Sequence, residues 1–316
     1  MEETFKPDRN EIIGVDTVEK RGFGKTGVEV AALGFGAMEL LKLDKGEAAK
    51  LLNAALDGGV NFIDTSPCYG VSEEYIGEIA SRRDDFILAT KCGCIRMNSS
   101  FAHAFDGPTY LKNVENSLKV MKTDYIDILQ IHGPMPQDIQ GGETDEQIEA
   151  LRKLKTEGKV RHIAATFKNS GPADPKYPDS YSYDCLKYFM EWDVFEVIQV
   201  VYGGYARKCE TLISEAAAKG KGIIARGTMK RYFPYFEGLF EKAGLKELLY
   251  IGETERDFLI RFTLSHPDVT TAIIGTKDIG HLEANIKAAN KGRLAPEVYA
   301  EAKDKLDKTG QAACYN

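Results

Sequence analysis

The sequence predicts an α/β fold, a (β/α)8 TIM barrel with an N-terminal hairpin and a C-terminal helix. Eight short apolar runs suited to strands recur along the 316 residues, and amphipathic helical patterns lie between most of them. Strands that alternate with helices imply βαβ units and a parallel sheet, and this length is normal for one closed barrel. We therefore expect one domain over residues 1–316, in which residues 1–16 form a polar N-terminal extension.

Each predicted strand is a short apolar run bounded by less apolar sequence. In chain order the runs are AALGFG from Ala31, NFID from Asn61, FILAT from Phe86, YIDILQI from Tyr125, VRHIAAT from Val160, VIQVVY from Val197, GIIARG from Gly222 and TAIIG from Thr271.

Capping residues mark two of the helices. Asp44 and Glu47 have the spacing of a capping box, an apolar stripe follows them, and Gly58 ends that helix. Thr144 and Gln147 predict a second capping box at the start of TDEQIEALRKLKTEGK.

The ends of the chain add two elements to the barrel. Residues 18–30 predict a hairpin that turns at residues 25–27 and caps the bottom of the barrel, and residues 296–308 predict a terminal helix. Residues 169–183 and 231–244 have the composition of long loops, which are often functional in compact domains.

Composition excludes several classes of function. The net charge of -7 excludes a global basic surface for nucleic acid. Residues 1–16 lack the apolar segment of a secretory signal, and no run approaches the roughly 18 apolar residues of a membrane helix. We therefore expect a cytoplasmic protein that binds neither nucleic acid nor membrane.

Six cysteines are sparse for this length, which argues against a disulfide scaffold. The close pair Cys92 and Cys94 has no second pair at metal-ligand spacing, so the sequence predicts no metal site. We expect Cys92 and Cys94 to be small buried thiols, with redox sensitivity as the alternative.

Titratable side chains stand at the ends of three adjacent predicted strands. Asp64 ends the second strand and Tyr69 lies in the loop after it, Lys91 ends the third strand, and His132 ends the fourth. Chemistry in (β/α)8 barrels lies at the C-terminal ends of the strands. Any one of these residues alone is more typical of a loop cap, a packed aromatic, a solvated lysine or a core histidine, but together they predict a site.

The sequence resembles the aldo-keto reductase family from about Thr17 to Lys291. The matching stretches, in order, are LGFGAM, GVNFIDTSPCYG with SEEYIGE, ATK, TDYIDILQIH, EGKVRHIAA and IIGTKDIGHLEAN. The resemblance implies a barrel that transfers hydride between a nicotinamide cofactor and a small carbonyl or sugar-like compound, or its alcohol.

The family's catalytic tetrad falls on Asp64, Tyr69, Lys91 and His132. Tyr69 would donate the proton, with its pKa lowered from about 10 by the Lys91 ammonium. Asp64 would hold Lys91, and His132 would orient or polarise the carbonyl oxygen.

The resemblance also implies contacts at the nicotinamide end of the cofactor. Gln199 and Thr166 fall where the family holds the carboxamide, but Phe167 replaces a usual asparagine. Arg226 stands where many members have an aromatic residue, and it would stack on a planar ring or bind an acidic substrate. The alternative for Arg226 is a structural pair with a carboxylate of the barrel.

The adenosine end is expected after the last strand. Gly275 permits close approach of a phosphate, and the next helix presents its N-terminus to anions. Lys277, His281 and Asn285 fall where the family grips this end, although His281 replaces a commoner arginine. Lys277 and the Thr276 hydroxyl suit a 2′-phosphate, so we expect NADP(H) in preference to NAD(H).

Two other functions remain open on the sequence alone. One is a nicotinamide-binding sensor or regulatory subunit, which would turn over no carbonyl rapidly. The other is a barrel enzyme that uses the cofactor transiently in an elimination or epimerisation, which the departures at Phe167 and Arg226 allow.

Overall fold

Eight parallel strands close into a barrel in the computed structural model, which describes residues 17–96, 101–167, 181–228 and 237–310. The strands are β1 (Lys20–Gly22), β2 (Glu29–Ala31), β3 (Leu33–Gly36), β4 (Phe62–Asp64), β5 (Ile87–Cys92), β6 (Cys94–Arg96), β7 (Phe101–His103), β8 (Ile126–His132), β9 (Val160–Thr166), β10 (Val197–Val201), β11 (Gly222–Arg226) and β12 (Thr271–Ile274). The barrel order is β3-β4-β5-β8-β9-β10-β11-β12. All eight predicted barrel strands are therefore confirmed.

Helices surround the barrel and bury their apolar faces against it. They are α1 (Lys45–Asp57), α2 (Ser72–Ile76), α3 (Gly107–Met121), α4 (Glu146–Thr156), α5 (Tyr181–Phe189), α6 (Glu210–Ala218), α7 (Leu239–Lys242), α8 (Glu255–Ser265), α9 (Ile279–Asn290) and α10 (Pro296–Asp307). None of these helices combines the length and apolarity that a membrane crossing needs. The predicted C-terminal helix is α10.

The N-terminal hairpin closes the bottom of the barrel, as predicted. Strands β1 and β2 pair antiparallel, and Phe23 in the turn between them is fully buried. Its ring meets the ring of Phe62 edge to face, with centroids 5.7 Å apart. A Cβ on Gly222 would lie 2.3 Å from the Phe23 ring, so glycine is required where the hairpin turn packs against the barrel.

The inside of the barrel consists of an apolar layer beneath a polar layer. The apolar layer, buried together with Phe23, contains Phe62, Ala89, Ile128, Ala164, Val197 and Ile224. Side chains two positions apart on a strand share a face, so the next inward residues toward the mouth are Asp64, Lys91, Gln130, Thr166, Gln199 and Arg226. Strand alternation alone thus places a ring of polar side chains at the C-terminal end of the barrel.

One helix start differs from its prediction. The capping box of α1 forms as expected, because Asp44 accepts from the Glu47 N–H and Glu47 accepts from the Asp44 N–H. The capping box predicted at Thr144 was wrong: Asp145 is the N-cap of α4, and the Thr144 hydroxyl donates to the Gly141 carbonyl. The threonine that was predicted to cap the helix therefore closes a tight turn before α4 instead.

Residues 169–180 and 231–236 of the two predicted long loops lie outside the described residues. At the margins that are described, residues 181–183 belong to α5 and residues 239–242 form α7, so the loop predictions were wrong there.

Candidate active site

A buried ion pair joins the ends of β4 and β5. Lys91 Nζ donates to Asp64 Oδ2 at 2.7 Å and to the Thr65 carbonyl at 2.7 Å. The two charged side chains are 1% and 2% exposed, so neither charge is solvated by bulk water. Burial acts to lower the pKa of Lys91, but Asp64 and Tyr69 outweigh it and raise that pKa. Lys91 is therefore held as a buried cation.

Asp64 is also the centre of a hydrogen-bond network across the polar layer. Its Oδ1 accepts from Gln130 Nε2 at 2.6 Å and from Gln199 Nε2 at 2.9 Å. Gln199 Oε1 in turn accepts from the Thr166 hydroxyl at 2.7 Å. Two glutamines thus fix the carboxylate that holds Lys91, and Thr166 orients one of them. Gln130 was missed from the sequence, although it lies two positions before His132 on the same inward face.

Tyr69 and His132 border this pair at the mouth. The Tyr69 ring centroid is 4.9 Å from Lys91 Nζ, and the rings of Tyr69 and His132 are perpendicular with centroids 6.4 Å apart. Burial lowers the pKa of His132 to about 4, although a hydrogen bond with Cys94 opposes the shift. His132 is therefore neutral near pH 7. The structure brings all four predicted catalytic residues together.

Arg226 and Phe167 meet beside the same network. An Nη of Arg226 donates to the Phe167 carbonyl, and the Arg226 side chain is half-buried at the end of β11. The Phe167 ring is fully buried and stacks on Phe189, with centroids 5.9 Å apart. Phe167 therefore belongs to the core, and it offers no polar side chain in place of the family's asparagine.

The residues predicted to bind adenosine lie together after β12. Gly275 and Lys277 are exposed, as is His281, while Asn285 is 3% exposed. Asn285 Oδ1 is buried, and no group of the described residues donates a hydrogen bond to it.

The N-terminus of α9 carries its own cap. The Asp278 carboxylate accepts from the His281 N–H at 2.7 Å, and the Asp278 N–H donates to Thr276 Oγ1 at 3.1 Å. The Asp278 carboxylate, a like charge to a phosphate, is thereby engaged at the helix start, and Lys277 beside it is exposed to solvent.

A cluster of thiols and imidazoles lies against His132. Cys94 Sγ is 3.2 Å from His132 Nδ1, and Cys68 and His103 lie close to both. The Cys94 thiol has a lowered pKa, chiefly because of a hydrogen bond with Cys68, and His103 and His132 act in the same direction against burial. Spacing along the chain pairs Cys94 with Cys92 alone, so the sequence does not reveal this cluster, whose members come from separate segments.

Comparisons with known proteins match this architecture. The model of the Aldo/keto reductase family matches residues 32–233. The uncharacterized oxidoreductase YqkF of Bacillus subtilis is 29% identical over 295 residues, covering 89% of this chain and 94% of its own. L-galactose dehydrogenase of Arabidopsis thaliana is 27% identical over 305 residues, covering 87% of this chain and 89% of its own.

A solved structure extends the match to the whole barrel. The holo form of aldo-keto reductase AKR11C1 from Bacillus halodurans superposes with a TM-score of 0.79 at 26% identity, covering 95% of this chain and 98% of the other. The family model, the relatives and the barrel agree, and they confirm the resemblance seen in the sequence: the protein is an oxidoreductase of the aldo/keto reductase family.

Proposed function

We propose that the protein transfers hydride between NADP(H) and a small carbonyl compound or its alcohol. The observation that carries this proposal is the buried Lys91–Asp64 pair beside Tyr69, with His132 at the same mouth. When bound, the nicotinamide supplies or accepts the hydride. The residues of the chain then have to supply a proton and a polar environment for the carbonyl oxygen.

Tyr69 is the proton donor in this scheme. Reduction of a carbonyl leaves an alkoxide, and a positioned acid that protonates it contributes about 10²–10⁴-fold to the rate. The Lys91 cation beside the ring favours the phenolate that remains after proton transfer. Asp64 keeps Lys91 in place, and Gln130 and Gln199 keep Asp64 in place.

The nicotinamide end fits the residues that the chain offers. Gln199 donates one N–H to Asp64 and accepts one bond from Thr166. A primary amide has two N–H donors and two carbonyl lone pairs, so within the described part of the chain Gln199 retains one of each. One donor and one acceptor are what a second carboxamide needs, which supports Gln199 as its partner. Phe167 contributes only its backbone.

The adenosine end fits as well. Asn285 Oδ1 is a buried acceptor without a donor among the described residues, and buried polar atoms normally find a partner. The amino group of adenine is such a donor. Loops after the last strands of (β/α)8 barrels frequently bind phosphate, which supports Gly275, Thr276 and Lys277 as its neighbours.

A spectrophotometric screen tests the proposed reaction. Small aldehydes, ketones and sugars are assayed with both cofactors in both directions; sugars belong in the screen because one relative is an L-galactose dehydrogenase. Steady consumption of cofactor supports the proposal. Binding without turnover would favour the sensor, and product formation without net cofactor consumption would favour elimination or epimerisation. The single domain and the cytoplasmic location remain predictions from the sequence.

We expect Lys277→Ala to weaken the binding of NADP(H) about 10-fold and to leave the binding of NAD(H) nearly unchanged. A charge-assisted bond to phosphate contributes roughly 1.5–3 kcal/mol, and the exposure of Lys277 places it at the low end, near the 1.4 kcal/mol of a tenfold change. Fluorescence titration of both cofactors measures the difference. Lys287→Ala, an exposed lysine near the other end of α9, is the matched control. Equal weakening of both cofactors would show that Lys277 does not read the 2′-phosphate.

We expect Arg226→Leu to lower kcat/KM for an acidic substrate about 10- to 100-fold more than for a neutral one. Strand alternation places Arg226 in the inward polar layer, and the loss of a charge-assisted bond costs roughly 1.5–3 kcal/mol. Paired kinetics on a carboxylate-bearing aldehyde and its neutral analogue give the ratio. A purely structural arginine, acting through the Phe167 carbonyl, would lower both values equally.

A further inference from the structure

Four metal-ligating side chains converge at the barrel mouth from three segments of the chain. Cys68 lies in the loop after β4, Cys94 and His103 lie on the paired strands β6 and β7, and His132 ends β8. One ligand atom from each lies within 4.8 Å of every other. Two thiols and two imidazoles form a donor set typical of structural zinc sites, and soft thiolates with tetrahedral geometry favour zinc over harder divalent cations.

We propose that this Cys2His2 cluster binds one zinc ion through four ligands: Cys68, Cys94, His103 and His132. The inference goes beyond the proposed hydride transfer and shares only His132 with it.

The spacing of the ligand atoms is close to that of a tetrahedral site. Bonds of about 2.3 Å to sulfur and 2.0–2.1 Å to nitrogen place ligand atoms roughly 3.3–3.8 Å apart around a tetrahedron. Cys94 Sγ and His132 Nδ1 are already 3.2 Å apart, and no pair exceeds 4.8 Å. The widest pair therefore has to contract by roughly 1 Å, which small side-chain rotations supply.

The backbone holds the thiols in position without help from a metal. Cys94 lies directly opposite His103 in the β6–β7 register, so their side chains share one face of this small sheet. Asn113 accepts from the Cys94 N–H and donates to the Cys94 carbonyl, each at 3.0 Å. Ser66 Oγ accepts from the Cys68 N–H at 3.2 Å and lies 3.4 Å from Cys94 Sγ. Such outer contacts are what orient the direct ligands of metal sites.

A metal in this cluster would act by positioning. Four protein ligands leave no open coordination place for a substrate, so the cation would not polarise the carbonyl directly. Coordination through His132 Nδ1, the nitrogen that faces Cys94, leaves the ring proton on Nε2. Nε2–H is the donor that His132 needs in order to bind a carbonyl oxygen. The metal would also tie the β6–β7 sheet to the barrel.

Cobalt and zinc titrations of the full-length protein test the proposal. The chain is purified under a phosphine reductant, stripped with a chelator and titrated with Co²⁺, and Zn²⁺ is then used to displace it. We expect one ion per chain, visible bands of tetrahedral cobalt and thiolate-to-cobalt charge transfer. Cys94→Ser and His103→Gln should each weaken binding at least about 100-fold, since even the loss of an outer partner costs about 10–100-fold.

Cys92→Ser is the matched control. Cys92 is a buried thiol two residues from Cys94, and it faces the Gln130 carbonyl at 3.6 Å instead of the cluster. We expect this variant to bind cobalt as the wild type does. Equal losses in Cys92→Ser and Cys94→Ser would overturn the proposal, as would cobalt bound without thiolate bands or the absence of stoichiometric binding.

A measurement on the wild-type chain covers the case in which a variant fails to fold. One equivalent of Zn²⁺ should protect Cys68 and Cys94 from alkylation, as peptide mass spectrometry would show. Unchanged labelling with Zn²⁺ would contradict the site, and so would a reduced chain that binds no metal yet forms a Cys68–Cys94 disulfide on oxidation. These experiments contain neither carbonyl nor nicotinamide, so a negative result does not affect the reductase proposal. A negative carbonyl screen likewise does not affect the metal-site proposal.

Discussion

Replacing Tyr69 with phenylalanine should lower kcat for carbonyl reduction by about 10²–10⁴-fold, the usual contribution of a positioned acid. The substitution removes the hydroxyl and keeps the ring, so the perpendicular contact with His132 and the packing near Lys91 remain. Cofactor affinity should be nearly unchanged, because the proposed cofactor contacts lie on β9, β10 and β11 and in the segment after β12. Steady-state kinetics and fluorescence titration measure the two effects separately.

A second tyrosine provides the control for Tyr69→Phe. Tyr75 lies six residues further on, in α2, and its hydroxyl donates to the Leu43 carbonyl at 3.2 Å. Tyr75→Phe makes the same chemical change outside the site and should keep full turnover. If Tyr69→Phe kept more than about a tenth of wild-type turnover, it would lose less than acid catalysis contributes, and another group would have to be the proton donor.

The barrel could be predicted because its strands are short apolar runs separated by helical patterns. Alternation along those strands then builds its interior. Phe62 is apolar and buried, and Asp64, two positions further along the same strand, lies in the layer above it. Ala89 and Lys91 are related in the same way. The strand ends could therefore be read from the sequence as one layer. The start of α4 could not be read in this way, because the hydroxyl of Thr144 has two competing partners: the N–H groups of a helix and the Gly141 carbonyl of a local turn.

The grouping of Asp64, Tyr69, Lys91 and His132 could be predicted from the ends of adjacent strands, whereas the thiol cluster could not. Cys94 and His103 face each other because of the β6–β7 register, and Cys68 reaches them from the loop after β4. Those contacts depend on tertiary geometry, and sequence spacing contains no trace of them. Gln130 could be predicted in part. Its place two residues before His132 puts it on the same face of the strand, but its bond to Asp64 forms only because the barrel closes.

Lys91→Met should damage both catalysis and stability, by separable mechanisms. The loss of the cation beside Tyr69 should lower turnover by about 10²-fold or more, within the range of acid catalysis. It also leaves the Asp64 carboxylate, 2% exposed, without a counter-charge. Breaking a buried pair in this way typically costs about 3–5 kcal/mol of the free energy of unfolding, which denaturant unfolding measures.

The double variant Asp64→Asn with Lys91→Met separates the two mechanisms. Removing both charges abolishes the uncompensated carboxylate, so the double variant should be more stable than Lys91→Met alone, while its turnover stays low because Tyr69 still lacks its cation. Arg261→Met supplies the opposite control, since Arg261, on α8, forms another buried pair with Glu253 at 2.7 Å. It should lose comparable stability yet keep its turnover at temperatures where it is folded. If Arg261→Met lost turnover as Lys91→Met does, the effect of Lys91 on rate would follow from instability alone, and its role beside Tyr69 would be wrong.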